Sequence, residues 1–312
     1  QRSTATPPID SDSSDKYTPT IQTSGDDPMT SNQPASKNIT VNGVNLRYLD
    51  YGNEDKTPLV CLHGHTGQAH IWDEFADVMS DQYHVLAVDQ RGHGLSAHAG
   101  DGYARDRFVE DLAAFVDALE LKTFVLVGLS MGGWHSLLYT ANNQERVERI
   151  VIVDIGPEPS EASNDAPARP PTPMEFDSVQ ASYEWMRQGN PWASDDRLLQ
   201  DAQDKLRQLD SGKWTWRADA ELFNSPLIDM TDPGLIGRYW DAIDTITCPI
   251  LEVRGAASPL VSDEILDSMK YRGHDLTSVD VADAGHVVTV DKPQEFINAV
   301  SAYLGVETAQ TA

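Results

Sequence analysis

Cysteine is nearly missing from this chain: its 312 residues carry two, Cys61 and Cys248. Both stand beside short apolar runs of the kind that form buried strands, so they read as two free buried thiols rather than a disulfide. Basic residues are scarce as well. Lys and Arg number 23 against 49 Asp and Glu, a formal net charge of −26, which repels nucleic acid and anionic membranes alike. Neither is expected as a partner. A salt-adapted surface and a merely solubilising acidic face both account for the acidic excess. No apolar run reaches the roughly 18 residues that a membrane-spanning helix requires. The first 36 residues have scarcely any large apolar side chains and are dominated by Ser, Thr, Pro, Asp and Gln. Such a segment buries too little surface to offset the entropy of ordering, so 1–36 reads as disordered. It lacks the apolar stretch of a signal peptide. The expected location is therefore cytoplasmic, with export behind a removed signal as the alternative, since the chain opens on Gln1 and not on Met.

From Lys37 onward, strand and helix patterns alternate. Ile39-Thr40-Val41 and Val44 to Leu49 alternate apolar and polar residues around Asn42-Gly43, a strong hairpin signal. The continuous apolar run from Pro58 to Leu62 suits a strand buried on both faces. Further strand patterns follow at Tyr83 to Asp89 and Phe124 to Leu129. Helical patterns lie between them, over about Ile71 to Ser80 and Arg105 to Leu121; the second puts Phe108, Leu112, Phe115, Val116 and Leu119 on one face. This alternation implies a mostly parallel sheet covered by helices on both sides.

One strand ends in a motif that carries chemistry. Phe124 to Leu129 closes on Gly128-Leu129-Ser130-Met131-Gly132 and passes straight into the helix-like Trp134 to Tyr139. Gly-x-Ser-x-Gly between a strand and a helix is the setting of a nucleophile elbow, where the serine sits on a strained turn with Oγ exposed and small neighbours avoid clashes. The adjoining helix N-terminus favours negative charge beside Ser130. A serine hydroxyl is a poor nucleophile at neutral pH, so it needs a base within hydrogen-bond reach and a third group to orient that base. His286 is the candidate base. It follows the strand-like Leu276 to Val281 and precedes a helix pattern from about Pro293 to Leu304, which places it on a loop at a strand's C-terminal end. Active sites of open α/β sheets lie there. His84, His98, His135 and His274 belong to no motif and read as structural or solvated. His63, His65 and His93 sit in site-facing loops; no third ligand accompanies His63 and His65, so no metal site is expected.

Three motifs now stand in order: His63-Gly64-His65-Thr66-Gly67, the elbow around Ser130, and Ala284-Gly285-His286. On these the chain resembles the α/β-hydrolase family, over about Asn38 to Leu304 with one interruption. The resemblance implies an α/β-hydrolase fold: a mostly parallel sheet flanked by helices, with an inserted helical cap. It also implies that the backbone N–H groups of His65 and Met131 form the oxyanion hole. At the acid the chain departs from the usual pattern. Most relatives carry it three residues after the glycine that ends Ile250 to Gly255, and that position here is Ser258. A subset of the family takes its acid from the end of the preceding strand, where Val151-Ile152-Val153 leads to Asp154. Asp154 is therefore the expected acid, with Asp263 as the alternative.

The strand pattern stops between Pro157 and Ile246. A Pro-rich linker, Pro167 to Pro173, leads into helical stretches near Glu175 to Gln188, Asp195 to Leu209 and Pro233 to Ala242. The expected organisation is a core of 37–156 and 247–306 with a helical cap of 157–246. Trp185, Trp192, Trp214, Trp216 and Trp240 fall in that cap; the first four are candidate pocket residues for an apolar acyl or aromatic substrate, with packing of the cap itself as the other reading. The expected function is a serine-dependent hydrolase of the carboxylesterase type, acting without cofactor on an ester, lactone or thioester through an acyl-enzyme. Two alternatives stay open: a C–C bond hydrolase of vinylogous diketones with the same triad, and a non-catalytic ligand-binding receptor on this fold. Oligomeric state is not legible.

Overall fold

The computed structural model describes residues 21–23, 33–164, 171–224 and 232–307. Most of 1–36, where disorder is expected, lies outside the described residues. In chain order the first elements are β1 (Ile21–Thr23), β2 (Ala35–Val41), β3 (Val44–Asp50), β4 (Thr57–Leu62), α1 (Asp73–Met79), β5 (Tyr83–Val88), α2 (Arg105–Ala118), β6 (Phe124–Leu129), α3 (Met131–Asn142) and β7 (Val147–Val153). The segment after β7 holds α4 (Glu161–Asn164), β8 (Glu175–Phe176), α5 (Val179–Gly189), α6 (Asp195–Lys205), β9 (Leu206–Gln208), β10 (Trp214–Trp216), α7 (Ala220–Asn224) and α8 (Pro233–Thr245). The chain then returns through β11 (Ile250–Gly255), α9 (Asp263–Arg272), β12 (Leu276–Val281), α10 (Val288–Asp291) and α11 (Pro293–Leu304).

The main sheet runs in the order β1-β2-β3-β5-β4-β6-β7-β11-β12. Pairing is antiparallel from β1 through β3 to β5 and parallel from β5 to β12. β2 and β3 meet at a two-residue turn in which Asn42 and Gly43 take φ of 49° and 77°, the backbone that a primed hairpin turn demands. β1 pairs with β2, so the sheet begins ahead of Lys37. An edge strand's unpaired N–H and C=O groups give even a polar segment something to dock on.

Alternate residues of each central strand feed two separate cores. Leu59, Cys61, Val125, Val127, Val151 and Val153 pack with α1 and α11 on one side; Val60, Leu62, Leu126, Ile150 and Ile152 pack with α2, α3, α8 and α9 on the other. Burial on both faces is why these strands read as unbroken apolar runs. Both cysteines are free, but only Cys61 is fully buried; Cys248, in the loop before β11, is half-buried at the edge of the main core. Among the described residues, no helix is long and apolar enough to cross a membrane.

The segment between β7 and β11 differs from the helical cap of 157–246 in two ways. It contains a three-stranded antiparallel sheet, β8-β10-β9, whose small core is Phe176, Leu206 and Trp216. Glu175–Phe176 and Leu206–Gln208, placed in helices by their apolar spacing, are strands here because they pair across β10. The segment is also continuous with the main body: Ala193 and Leu198 join one main core, and Ala218 and Leu222 the other. Tyr239, Trp240 and Ile243 of α8 join the main core, with Tyr239 stacked on Trp134 of α3 at 5.5 Å between ring centroids.

Candidate active site

β6 ends at Leu129 and α3 begins at Met131, so the whole change of direction falls on Ser130. Its φ of 52° and ψ of −118° are strained for a residue with a side chain, a cost of order 1–3 kcal/mol that surrounding structure must offset. The backbone does so: Ser130 N–H donates to Val153 O at 2.9 Å, and its carbonyl accepts from Gly133 and Trp134 N–H at 2.8 and 3.1 Å. No side chain fits at the flanking positions. A Cβ on Gly128 would collide with the Gly132 carbonyl, and one on Gly132 with the Leu62 carbonyl.

The turn lifts Ser130 toward the loop that carries His286. Ser130 Oγ lies 3.0 Å from His286 Nε2, and His286 Nδ1 lies 2.8 Å from Asp154 Oδ2. A carboxylate only accepts, so Nδ1 carries the proton and Nε2 is left free to accept from the serine. Asp154 is fully buried at the tip of β7. It is held from three sides: besides His286, Gly255 N–H donates to Oδ1 at 3.0 Å, and Ser258 Oγ donates to Oδ2 at 2.5 Å. Ser258, at the position where the resemblance would place an acid, thus hydrogen-bonds Asp154 at the end of the neighbouring strand. Asp263 lies elsewhere, an exposed carboxylate at the start of α9 paired with Arg254 at 2.7 Å.

Behind Asp154, on β11, sits a second fully buried acid, Glu252. Its Oε1 accepts from Ile155 N–H at 3.2 Å. Burial, with the Asp154 charge beside it, pushes the Glu252 carboxyl well above the ordinary carboxylate range.

The loop after β4 closes the site's other side. A Cβ on Gly64 would lie 3.2 Å from Ser130 Cβ, so this backbone passes directly over the serine. His63 fixes the loop from below: its Nδ1 donates to Gly64 O at 2.7 Å and its Nε2 accepts from Gln90 N–H at 3.0 Å. Complete burial drives its pKa down to about 4, so the ring stays neutral. Gln90 also donates to His63 O at 2.7 Å and accepts from His135 Nδ1 at 2.7 Å. His93 is buried against His63, with ring centroids 4.8 Å apart, and donates to Arg91 O. His65 reaches up instead, Nε2 donating to Leu222 O at 2.9 Å in the inserted segment. At the head of α3, Met131 and Gly132 have no carbonyl a turn earlier within the helix to receive their N–H groups. This leaves donors beside Ser130 Oγ, where negative charge would develop.

The four pocket tryptophans do not gather around Ser130. Trp216 is buried in the inserted segment's own core, its indole donating to Pro173 O at 2.7 Å, with Trp185 edge-on at 5.9 Å. Trp214 is half-buried on the same strand. Of the four, Trp192 lies against Gly285, next to His286: a Cβ on Gly285 would meet its indole at 2.7 Å. Three residues at the site went unread in the sequence. Gln90, Asp291 and Asn190 touch it only through tertiary contacts and belong to no local motif. Among the described residues, no group of three or more His, Cys, Asp or Glu could hold a metal ion.

Comparison with known proteins gives the family. A model of the alpha/beta hydrolase family matches residues 59–299. Esterase Rv0045c of Mycobacterium tuberculosis is 29% identical over 255 residues, 79% of this chain and 82% of that protein. A solved structure of that esterase superposes with a TM-score of 0.70 at 26% identity, over 89% of this chain and 94% of its own. The 2-(acetamidomethylene)succinate hydrolase of Mesorhizobium japonicum is 27% identical over 272 residues, 86% of this chain and 95% of that protein.

Proposed function

The chain belongs to the alpha/beta hydrolase family, and on that footing we propose that it is a serine hydrolase cleaving a carboxylic ester, lactone or thioester through an acyl-enzyme. The observation that carries this reading is the unbroken run of hydrogen bonds from Ser130 Oγ through His286 to the buried Asp154. In acylation His286 Nε2 takes the Ser130 proton as Oγ bonds to the acyl carbon, and the carbonyl electron pair moves onto oxygen. The His65 and Met131 N–H groups hold that oxyanion; such donors contribute about 10²–10³ in turnover. Collapse breaks the bond to the leaving group, which departs with the proton from Nε2. Water then repeats the sequence, His286 taking its proton and returning it to Oγ as the acid leaves. Asp154 fixes the imidazole and balances its positive charge throughout. Each proton and charge is carried by a named residue or by substrate, so the scheme calls for no cofactor.

Similarity to an esterase over most of the chain favours ester-type substrates over a C–C bond or a purely binding role. The segment between β7 and α8 is read as a cap, because His65, beside Ser130, bonds to it directly. The test is hydrolysis of p-nitrophenyl esters from acetate to dodecanoate by wild type, Ser130→Ala and Asp154→Asn, with fluorophosphonate labelling of each. Turnover and labelling that vanish in Ser130→Ala support the reading. A folded wild type that is neither active nor labelled would overturn it.

A further inference from the structure

Trp192 is set apart from the other tryptophans of the inserted segment by what holds it. Asn190, just past α5, turns its side chain two ways. Its Oδ1 accepts the N–H groups of Trp192 and Ala193 at 3.0 and 3.2 Å, while its Nδ2 donates to Asp291 Oδ1 at 2.6 Å. Asp291 Oδ2 accepts the N–H of Gly285 at 2.8 Å. Arg187 locks the same turn from outside, donating to the carbonyls of Asn190 and Ala193 at 3.0 and 2.8 Å. One buried carboxylate therefore ties the loop that carries His286 to the turn that carries Trp192. Trp192 lies against Gly285 with its indole and remains 38% exposed, so it is not a packed core residue.

We infer that Trp192 forms the leaving-group wall of the site, selecting aryl and other apolar alcohols or thiols, and that Asn190 and Asp291 are positioning residues that hold it beside His286. The inference rests on the serine-hydrolase reading above. In acylation His286 Nε2 must deliver its proton to the departing oxygen or sulfur, so the leaving group lies on the His286 side while the acyl chain stays on Ser130. A side chain packed on the residue before His286 meets the leaving group first. An indole there offers an apolar face for stacking or edge contact.

The experiment uses two esters with one acyl group, phenyl butyrate and methyl butyrate, and reads kcat/KM for wild type, Trp192→Ala, Trp192→Phe and Asn190→Ala. Intrinsic reactivity cancels when each variant's phenyl-to-methyl ratio is divided by that of wild type. The ratio is expected to fall about tenfold or more in Trp192→Ala, stay within about threefold in Trp192→Phe, and fall in Asn190→Ala, where the indole is present but loosened. Preference along the acyl series from acetate to dodecanoate should not move. Asn190→Ala carries the test if the truncation does not fold. An unchanged ratio, or a shift in acyl preference instead, overturns the leaving-group assignment while fluorophosphonate labelling of wild type leaves the serine-hydrolase reading standing. A wild type that is unlabelled and inactive on both esters removes both.

Discussion

The tips of β6 and β7 and the segment inserted after β7 are built under different constraints. At the tips, backbone geometry dictates residue type: Ser130 must turn the chain in one residue, and Gly128 and Gly132 must lack side chains because carbonyls occupy the space. In the inserted segment a small aromatic core of Phe176, Trp185 and Trp216 holds a short sheet and helices together, and many apolar combinations would do the same. The residues proposed to carry the chemistry therefore sit under strict backbone constraints, and the inserted segment proposed to contact substrate does not. It is tied to the main body by apolar packing of Ala193, Leu198, Ala218 and Leu222 and by hydrogen bonds that include His65 to Leu222 O, Asp219 N–H to Gly92 O, and Asn190 to Asp291.

Substitutions should separate the two regions. The largest effect is expected from Ser130→Ala and Asp154→Asn, which should lower kcat on p-nitrophenyl esters by about 10⁴-fold or more with unfolding midpoints close to wild type. A fully active Asp154→Asn would move the acid elsewhere. Next comes stability. Trp216→Ala should cost about 3–5 kcal/mol, seen in hydrogen exchange as lost protection across 171–224 while β4, β6 and β7 stay protected; a global loss would mean that the two regions unfold as one. Ser258→Ala removes one donor to Asp154 and should lower kcat/KM by about tenfold, with Ser258→Thr restoring most of it. Equal kcat/KM in both variants would show that the hydroxyl is dispensable.

The smallest effect concerns Glu252. Its folded pKa is raised above the unfolded value near about 4.3 by burial and the Asp154 charge. The stability it contributes is full below that pH and is lost as pH rises toward the folded value. Glu252→Gln should therefore raise the melting temperature at pH 7.5 by a few degrees and leave it unmoved at pH 4. His63 works in the opposite direction. Lowered to about 4 by burial, it contributes stability that is present above its unfolded pKa near about 6.5 and lost as pH falls toward 4. A urea midpoint that is flat from pH 7 to 4.5 would contradict it.

Much of this was legible in the sequence, for stated reasons. The alternation of strand and helix, the Asn42-Gly43 hairpin and the elbow at Ser130 are local patterns, set by residues adjacent in the chain. The inserted segment was legible only coarsely. Glu175–Phe176 and Leu206–Gln208 have no strand signal of their own and become strands by pairing with Trp214–Trp216 across sequence gaps. Apolar spacing likewise does not reveal that α8 packs on α3 rather than over the site.

What the sequence determined by itself is the class of fold and the positions of Ser130 and His286, because strict backbone requirements leave local signatures. Tertiary structure alone decided how Asp154, at the tip of β7, is held by Ser258 from the loop after β11, and which tryptophan lies against Gly285. Parallel neighbours such as β7 and β11 are about a hundred residues apart in the chain but exchange hydrogen bonds along their length. Contacts made across that separation depend on where the sheet brings the strand ends, which no local pattern encodes.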